Sequence, residues 1–186
     1  MGCRPRRTRK VCLGFSEHIL DRTASKGLVN LALNPTGVGF PKLFTEYTNA
    51  GDNLKDLADG IISSKQGPPI DEGPRNRWTN YDRQETAFVE VQFETEQDVH
   101  QVELFAYNDF GGVPTPKAVS VQYWDGSQWQ EAANQEVTVG TYENDTWIVP
   151  FTINFDVFRT ANVRVTMIPQ DGKSVGASEL RVWASE

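Results

Sequence analysis

The chain has 186 residues, 38% hydrophobic and 23% charged, with a net charge of −7. That is enough for one ordinary domain, and no apolar run approaches the roughly 20 residues of a membrane-spanning helix. The charge is uneven: Arg4, Arg6, Arg7, Arg9, Lys10, Arg22 and Lys26 outweigh Glu17 and Asp21, so residues 1–27 stand at +5 and residues 28–186, to reach −7 overall, at −12. So acidic a body repels phosphate backbones and excludes nucleic acid as its expected partner.

Residues 1–27 read as a flexible basic leader, a remnant or the tail of an upstream domain, because a charged terminus without an apolar stripe has nothing to pack. A basic run of this kind also serves as an RNA or nuclear tag. It is no export signal, since Cys12-Leu13-Gly14-Phe15 is cut short by Ser16-Glu17-His18. Met1-Gly2-Cys3 opens like an acylation site, but Arg6 stands where Ser or Thr is required. Cys3 and Cys12 allow a small disulfide loop without demanding one, and no second pair exists for zinc.

Residues 34–53 and 62–76 are rich in Pro, Gly, Asn and Asp and read as loops. Loops that long in a compact domain usually have a function. Between them, Leu54, Leu57, Ala58 and Ile61 provide one or two helical turns before Gly60 and Ser63-Ser64. From residue 86 onward the apolar positions alternate: Val89, Val91 and Phe93; Val102, Leu104 and Ala106; Val119, Val121 and Tyr123; Val163, Val165 and Met167; Leu180 and Val182. Period two with polar residues between marks antiparallel strands with one buried face. Asp125-Gly126-Ser127 is a hairpin signal, with Trp124 and Trp129 placed to pair across it. Further turns fall at Asn108–Gly112, Asn134–Gln135 and Gln170–Lys173, and Asn144-Asp145-Thr146 is a glycosylation acceptor in a secreted eukaryotic chain. Strands at this spacing give an all-β sandwich or jelly roll.

Two carboxylates invite a metal. Asp59 lies in a Gly-terminated turn and Glu179 begins the last strand, and calcium takes six to eight oxygens from such groups and from loop carbonyls. On spacing alone the plainer reading is that Asp59 caps its turn and Glu179 is solvated. Enzymes have less support. Neither a Gly-x-Ser-x-Gly, a His-Glu-x-x-His nor a phosphate loop is present. His18 lies in the leader and His100 on a strand, where it is expected to be exposed. Asp71, Glu72, Glu94, Glu96 and Asp98 read as a solvated acidic face rather than a glycosidase pair.

Several short segments, taken in order, resemble the galactose-binding-like domains, also called coagulation factor five/eight type C or discoidin domains. They are Asn30-Leu31-Ala32-Leu33-Asn34, Leu57-Ala58-Asp59-Gly60, Arg77-Trp78-Thr79-Asn80-Tyr81, Val102-Glu103-Leu104, Val121 to Trp129, Val163-Arg164-Val165 and Ala177-Ser178-Glu179-Leu180. The nearest resemblance is to the family 32 carbohydrate-binding modules that accompany glycoside hydrolases. It implies an antiparallel β-sandwich jelly roll over residues 28–186. Trp78, within a strand, reads as core rather than as a sugar platform. The resemblance also implies a structural calcium held by Asp59, the hydroxyl of Ser64, the Ala177 carbonyl and Glu179. The insertion Lys65–Asn76 and Ile61, where a second acid often follows the Asp-Gly, depart from that pattern.

A sugar site is implied in the rim loops, where ring faces pack against sugar C–H groups and polar side chains take the hydroxyls. The candidates are Tyr81 and Phe110 as rings, with Asn80, Arg83, Asn108 and Asp109 as polar partners; ordinary loop packing is the other reading of Phe110. The expected partners are a galactose-type sugar or a plant or microbial polysaccharide and a tethered glycoside hydrolase domain. The same resemblance implies a monomeric extracellular module; membrane-binding relatives project apolar spikes and basic residues, which this acidic body lacks, so no membrane partner is expected. The alternative is a structural, interaction or adhesion module with no sugar site of its own.

Overall fold

The computed structural model describes residues 23–24, 27–65, 70, 73–143 and 145–185. The expectations for Cys3, Cys12, His18, Asp71, Glu72, Asn144 and the leader up to residue 22 lie outside the described residues. Ten strands follow in order: β1 (Thr23–Ala24), β2 (Leu28–Asn30), β3 (Lys42–Phe44), β4 (Trp78–Thr79), β5 (Ala87–Tyr107), β6 (Ala118–Trp124), β7 (Trp129–Glu131), β8 (Glu136–Val139), β9 (Ile148–Ile168) and β10 (Gly176–Ser185). All pair antiparallel in one curled sheet ordered β1-β2-β10-β5-β9-β6-β7, with β3 on β5, β4 on β10 and β8 on β9. Because β1 pairs with β2, the sheet takes in two residues assigned by sequence to the leader.

The curl comes from β5 and β9. They run as a ladder broken between Gln92 and Gln97 and again between Val99 and Gln101. Across the second break the inward positions of β5 change from odd (Val89, Val91, Phe93, Val99) to even (Val102, Leu104, Ala106). A bulge does this, since one extra residue exchanges the faces of a strand and sharpens its twist. The first half of β5 lies with β3 and the end of β9, while the second half lies with β10 and the start of β9. Val89, Val91, Val163 and Val165 thereby meet Val102, Leu104, Ile153, Leu180 and Val182 in one core, the buried faces of a sandwich.

Leu54–Ala58 form a single 3-10 turn, shorter than the helix allowed by the apolar spacing. Asn53 caps it by accepting from the Lys55 amide at 3.2 Å, and Leu57 and Ala58 are buried beneath it. It ends at Asp59 and Gly60, whose φ of +81° is costly for a residue bearing a Cβ. Trp78 is fully buried, as expected of a core residue, and its Nε1 donates to the Tyr47 carbonyl at 3.0 Å. The β6–β7 hairpin brings Trp124 against Trp129 edge-on at 5.6 Å. His100 is half-buried in β5 rather than exposed.

Candidate functional site

β4 is only two residues long, but it fixes the rim. Thr79 accepts the Asn49 amide at 3.0 Å, and Arg77, one residue before β4, accepts the Asn53 amide at 3.1 Å. Asp52 is thereby buried beside Arg75, Arg77 and Thr79. Its carboxylate takes Arg75 Nη1 at 3.3 Å and the Thr79 hydroxyl at 2.6 Å. Arg77 Nε stands 3.4 Å from the same Oδ1 in an ion pair, without the alignment of a hydrogen bond. The Arg77 guanidinium carbon lies over the Tyr107 ring, 4.1 Å from its centroid. Its Nη1 is buried with no hydrogen-bond partner. Burial pushes the Tyr107 phenol above its ordinary value, and the Arg77 charge offsets part of that rise.

Above this floor is an open pocket of about 370 Å³, walled by Asn49, Arg75, Arg77, Tyr81, Tyr107 and Asp109. Tyr81 is 44% exposed, and its ring lies against Gly112, where an added Cβ would stand 2.7 Å from Cε2. Asp109 Oδ1 accepts the amides of Gly111 and Val113 at 2.7 and 2.8 Å, which fixes the loop. Phe110 is 63% exposed at the loop tip and meets Trp147 edge-on at 5.9 Å; Trp147 lies 6.1 Å from Tyr107.

Of the ring and polar candidates, Tyr81 and Asp109 line the pocket, and Phe110 is exposed on the loop of Asp109 but outside the lining. Three others lie elsewhere. Asn80 is buried, and its amide is taken up by the Val175 N–H it accepts at 2.7 Å and the Glu85 carbonyl to which it donates at 3.4 Å. Asn108 is also buried, and its Oδ1 accepts the Phe110 amide at 3.0 Å. Both hold backbone groups of the rim through their side chains. Arg83 turns to a different hollow and stacks on Tyr47 at 4.7 Å. The pocket is also lined by Asn49 and Arg75, from loops whose composition carries no ligand signal, and by Arg77 and Tyr107.

The proposed metal ligands lie around the 3-10 turn and the start of β10. Glu179 is fully buried; Oε2 accepts the Gly60 amide at 3.2 Å, while Oε1 has no partner. Burial first, and the Asp59 charge second, push it up to about 9. Asp59 accepts the Ile61 amide at 2.8 Å and the Asn76 side chain at 3.3 Å. Burial raises its affinity for a proton too. A bulge between Ala177 and Glu179 makes Ser178 the extra residue of β10, and its hydroxyl accepts the Ser63 amide at 2.7 Å. Ser64, half-buried, is the next residue. Among the described residues no three His, Cys, Asp or Glu side chains gather as a metal group. Two carboxylates with one orphaned oxygen, flanked by loop carbonyls and a serine, still fit a hard cation.

No protein-family model matches the chain, and no curated protein matches its sequence. Solved structures do. A chain of the Streptococcus pneumoniae beta-galactosidase aligns with TM-score 0.69 at 21% identity, covering 84% of this chain and 99% of that one. The lectin domain of lectinolysin, complexed with Lewis B antigen, aligns with TM-score 0.57 at 15% identity, over 84% and 97%. The family 32 carbohydrate-binding module of a Clostridium perfringens protein, in complex with galactose, aligns with TM-score 0.53 at 14% identity, over 76% and 92%. At these identities the likeness is one of fold. The chain shares the β-sandwich fold of this family 32 carbohydrate-binding module and this lectin domain.

Proposed function

We propose that this domain is a non-catalytic carbohydrate-binding module that seats its sugar in the pocket beside Tyr81. One observation carries the reading. Asn49, Arg75 and Asp109 gather with the exposed Tyr81 ring around one open pocket, over a floor formed by Arg77 and Tyr107. A ring beside several polar side chains is what a sugar requires. The Tyr81 face would take the pyranose C–H surface, while Asn49, Arg75 and Asp109 would hold its hydroxyls. Two of the solved structures of this fold carry galactose and Lewis B antigen, which favours a galactose-type sugar. A single shallow contact gives Kd of about 10⁻⁵ to 10⁻³ M. Such a module works by raising substrate concentration near a tethered glycoside hydrolase outside the cell.

In the same reading calcium joins the 3-10 turn to β10 through Asp59, Glu179 and neighbouring carbonyls, including that of Ala177, with Ser64 as a hydroxyl donor. The metal neutralises the two carboxylates and stiffens the rim without touching sugar. Glycan-array screening followed by titration calorimetry tests the sugar site. The wild type should retain galactose-containing glycans, and Tyr81→Ala should lose them with an unchanged melting temperature. No retained glycan would favour an interaction module instead, and full retention by Tyr81→Ala would move the sugar elsewhere.

A further inference from the structure

A second cavity, of about 360 Å³, opens between residues 34–41, β3 and the 3-10 turn. Leu43 and Leu54 line it and rest on the core behind, and Ala58 is buried beside them. The polar side chains in its wall are Asn34, Lys42 and Lys55. Asn34 has nothing left for a guest. Its Oδ1 accepts from the Thr36 hydroxyl at 3.0 Å and the Gly37 amide at 3.1 Å, and its Nδ2 donates to the Val38 and Pro41 carbonyls at 3.3 and 2.9 Å.

The remaining polar groups are two exposed ammonium ions. Lys42 Nζ sits 4.7 Å over the Phe40 ring, and the Lys55 stem runs past Gly37, its Cδ 3.7 Å from where a Cβ would stand. Neither lysine makes an ion pair among the described residues; Asp56 and Asp59 act on Lys55 only through space. A sugar needs fixed acceptors as well as donors, and side chains here offer cations alone. A hydrocarbon body can use the leucine floor, and a negative end can use the lysines.

We infer that this cavity binds a small amphiphilic carboxylate, its apolar body on Leu43 and Leu54 and its charge between Lys42 and Lys55. A free acid and a peptide C-terminus behind an apolar residue present the same chemistry. Amide-resonance titration of the full chain separates the possibilities, with hexanoate, hexanol, acetate and acetyl-Gly-Leu as probes.

Hexanoate should shift the amides of Lys42, Leu43, Leu54 and Lys55 saturably, with Kd of about 1 mM. Hexanol and acetate should bind at least about tenfold more weakly, because each lacks half of the recognised feature. The Lys42→Gln/Lys55→Gln double variant, changed at exposed positions, should lose about tenfold in hexanoate affinity. Tighter binding of acetyl-Gly-Leu than of hexanoate assigns the site to a chain end, and the reverse order to a free acid. The absence of saturable shifts, hexanol binding as well as hexanoate, or an unaffected double variant each overturns the inference.

Discussion

Two glycines would meet the same clash if given a side chain and should answer it in opposite ways. At Gly112 an added Cβ would stand 2.7 Å from Tyr81 Cε2, and at Gly176 it would stand 2.7 Å from Thr79 Cγ2 and 2.9 Å from the Trp78 carbonyl oxygen. An ordinary carbon contact is about 3.5–4.0 Å, so each neighbour must yield by about 1 Å. Tyr81 is an exposed side chain and can swing aside. Gly176→Ala instead meets backbone, because Gly176 and Ala177 of β10 pair with Thr79 and Trp78 of β4. Overpacking of this kind costs about 1–3 kcal/mol, and a domain of this size loses about 2–4 °C per kcal/mol. Scanning calorimetry should therefore lower the Gly176→Ala melt by about 5–10 °C and leave Gly112→Ala within about 2 °C of the parent. Calorimetric titration should show the converse for sugar, with Gly112→Ala about tenfold weaker because its platform has been displaced. If Gly112→Ala melts as low as Gly176→Ala, the Tyr81 ring is not free to move. If it binds sugar like the parent, Tyr81 is not the platform.

Arg77→Lys keeps a positive charge near Asp52 but loses the guanidinium over Tyr107 and its several donors. Glycan affinity should fall by about tenfold or more in calorimetry, and parental affinity would remove Arg77 from the site. The calcium reading is tested by urea denaturation in EDTA across pH. Burial and the Asp59 charge hold Glu179 at about 9 against an ordinary 4.5, so the metal-free fold prefers the proton. That contribution is complete below 4.5 and is lost as pH rises through about 9. The chelated domain should weaken from pH 5 to 9, calcium should restore it, and Glu179→Gln should flatten the slope. A flat parental profile in EDTA would contradict the buried-carboxylate argument.

The strands with clean alternation were legible because a single buried face imposes period two, as in Val89-Glu90-Val91 and Val163-Arg164-Val165. The first half of β9 was not. There Val149, Phe151, Ile153 and Phe155 are interrupted by Pro150 and Asp156, and the bend moves Phe158 onto the inward face. Tyr81 and Phe110 could be found as loop aromatics. A loop asparagine such as Asn80 or Asn108 is equally suited to bind a guest or clamp its own backbone, so its burial and backbone bonds are not legible in the sequence. The floor of the pocket was hidden for a different reason. Asp52 and Arg77 lie 25 residues apart in loops without period, and they meet because the Asn49 and Asn53 amides tie the 45–53 loop to the Thr79 and Arg77 carbonyls.

The position of β10 has a consequence for how the molecule is made. The final strand, Gly176–Ser185, lies inside the sheet between β2 and β5, and through Glu179 and Ala177 it also reaches the 3-10 turn and β4. During synthesis, β5 has neither of its main partners until β9 and then β10 have left the ribosome. Most native contacts thus join distant parts of the chain, a topology that folds late and leaves strand edges bare in the meantime. A ribosome stalled before residue 176 would carry an open sheet awaiting its central strand, a natural target for chaperones.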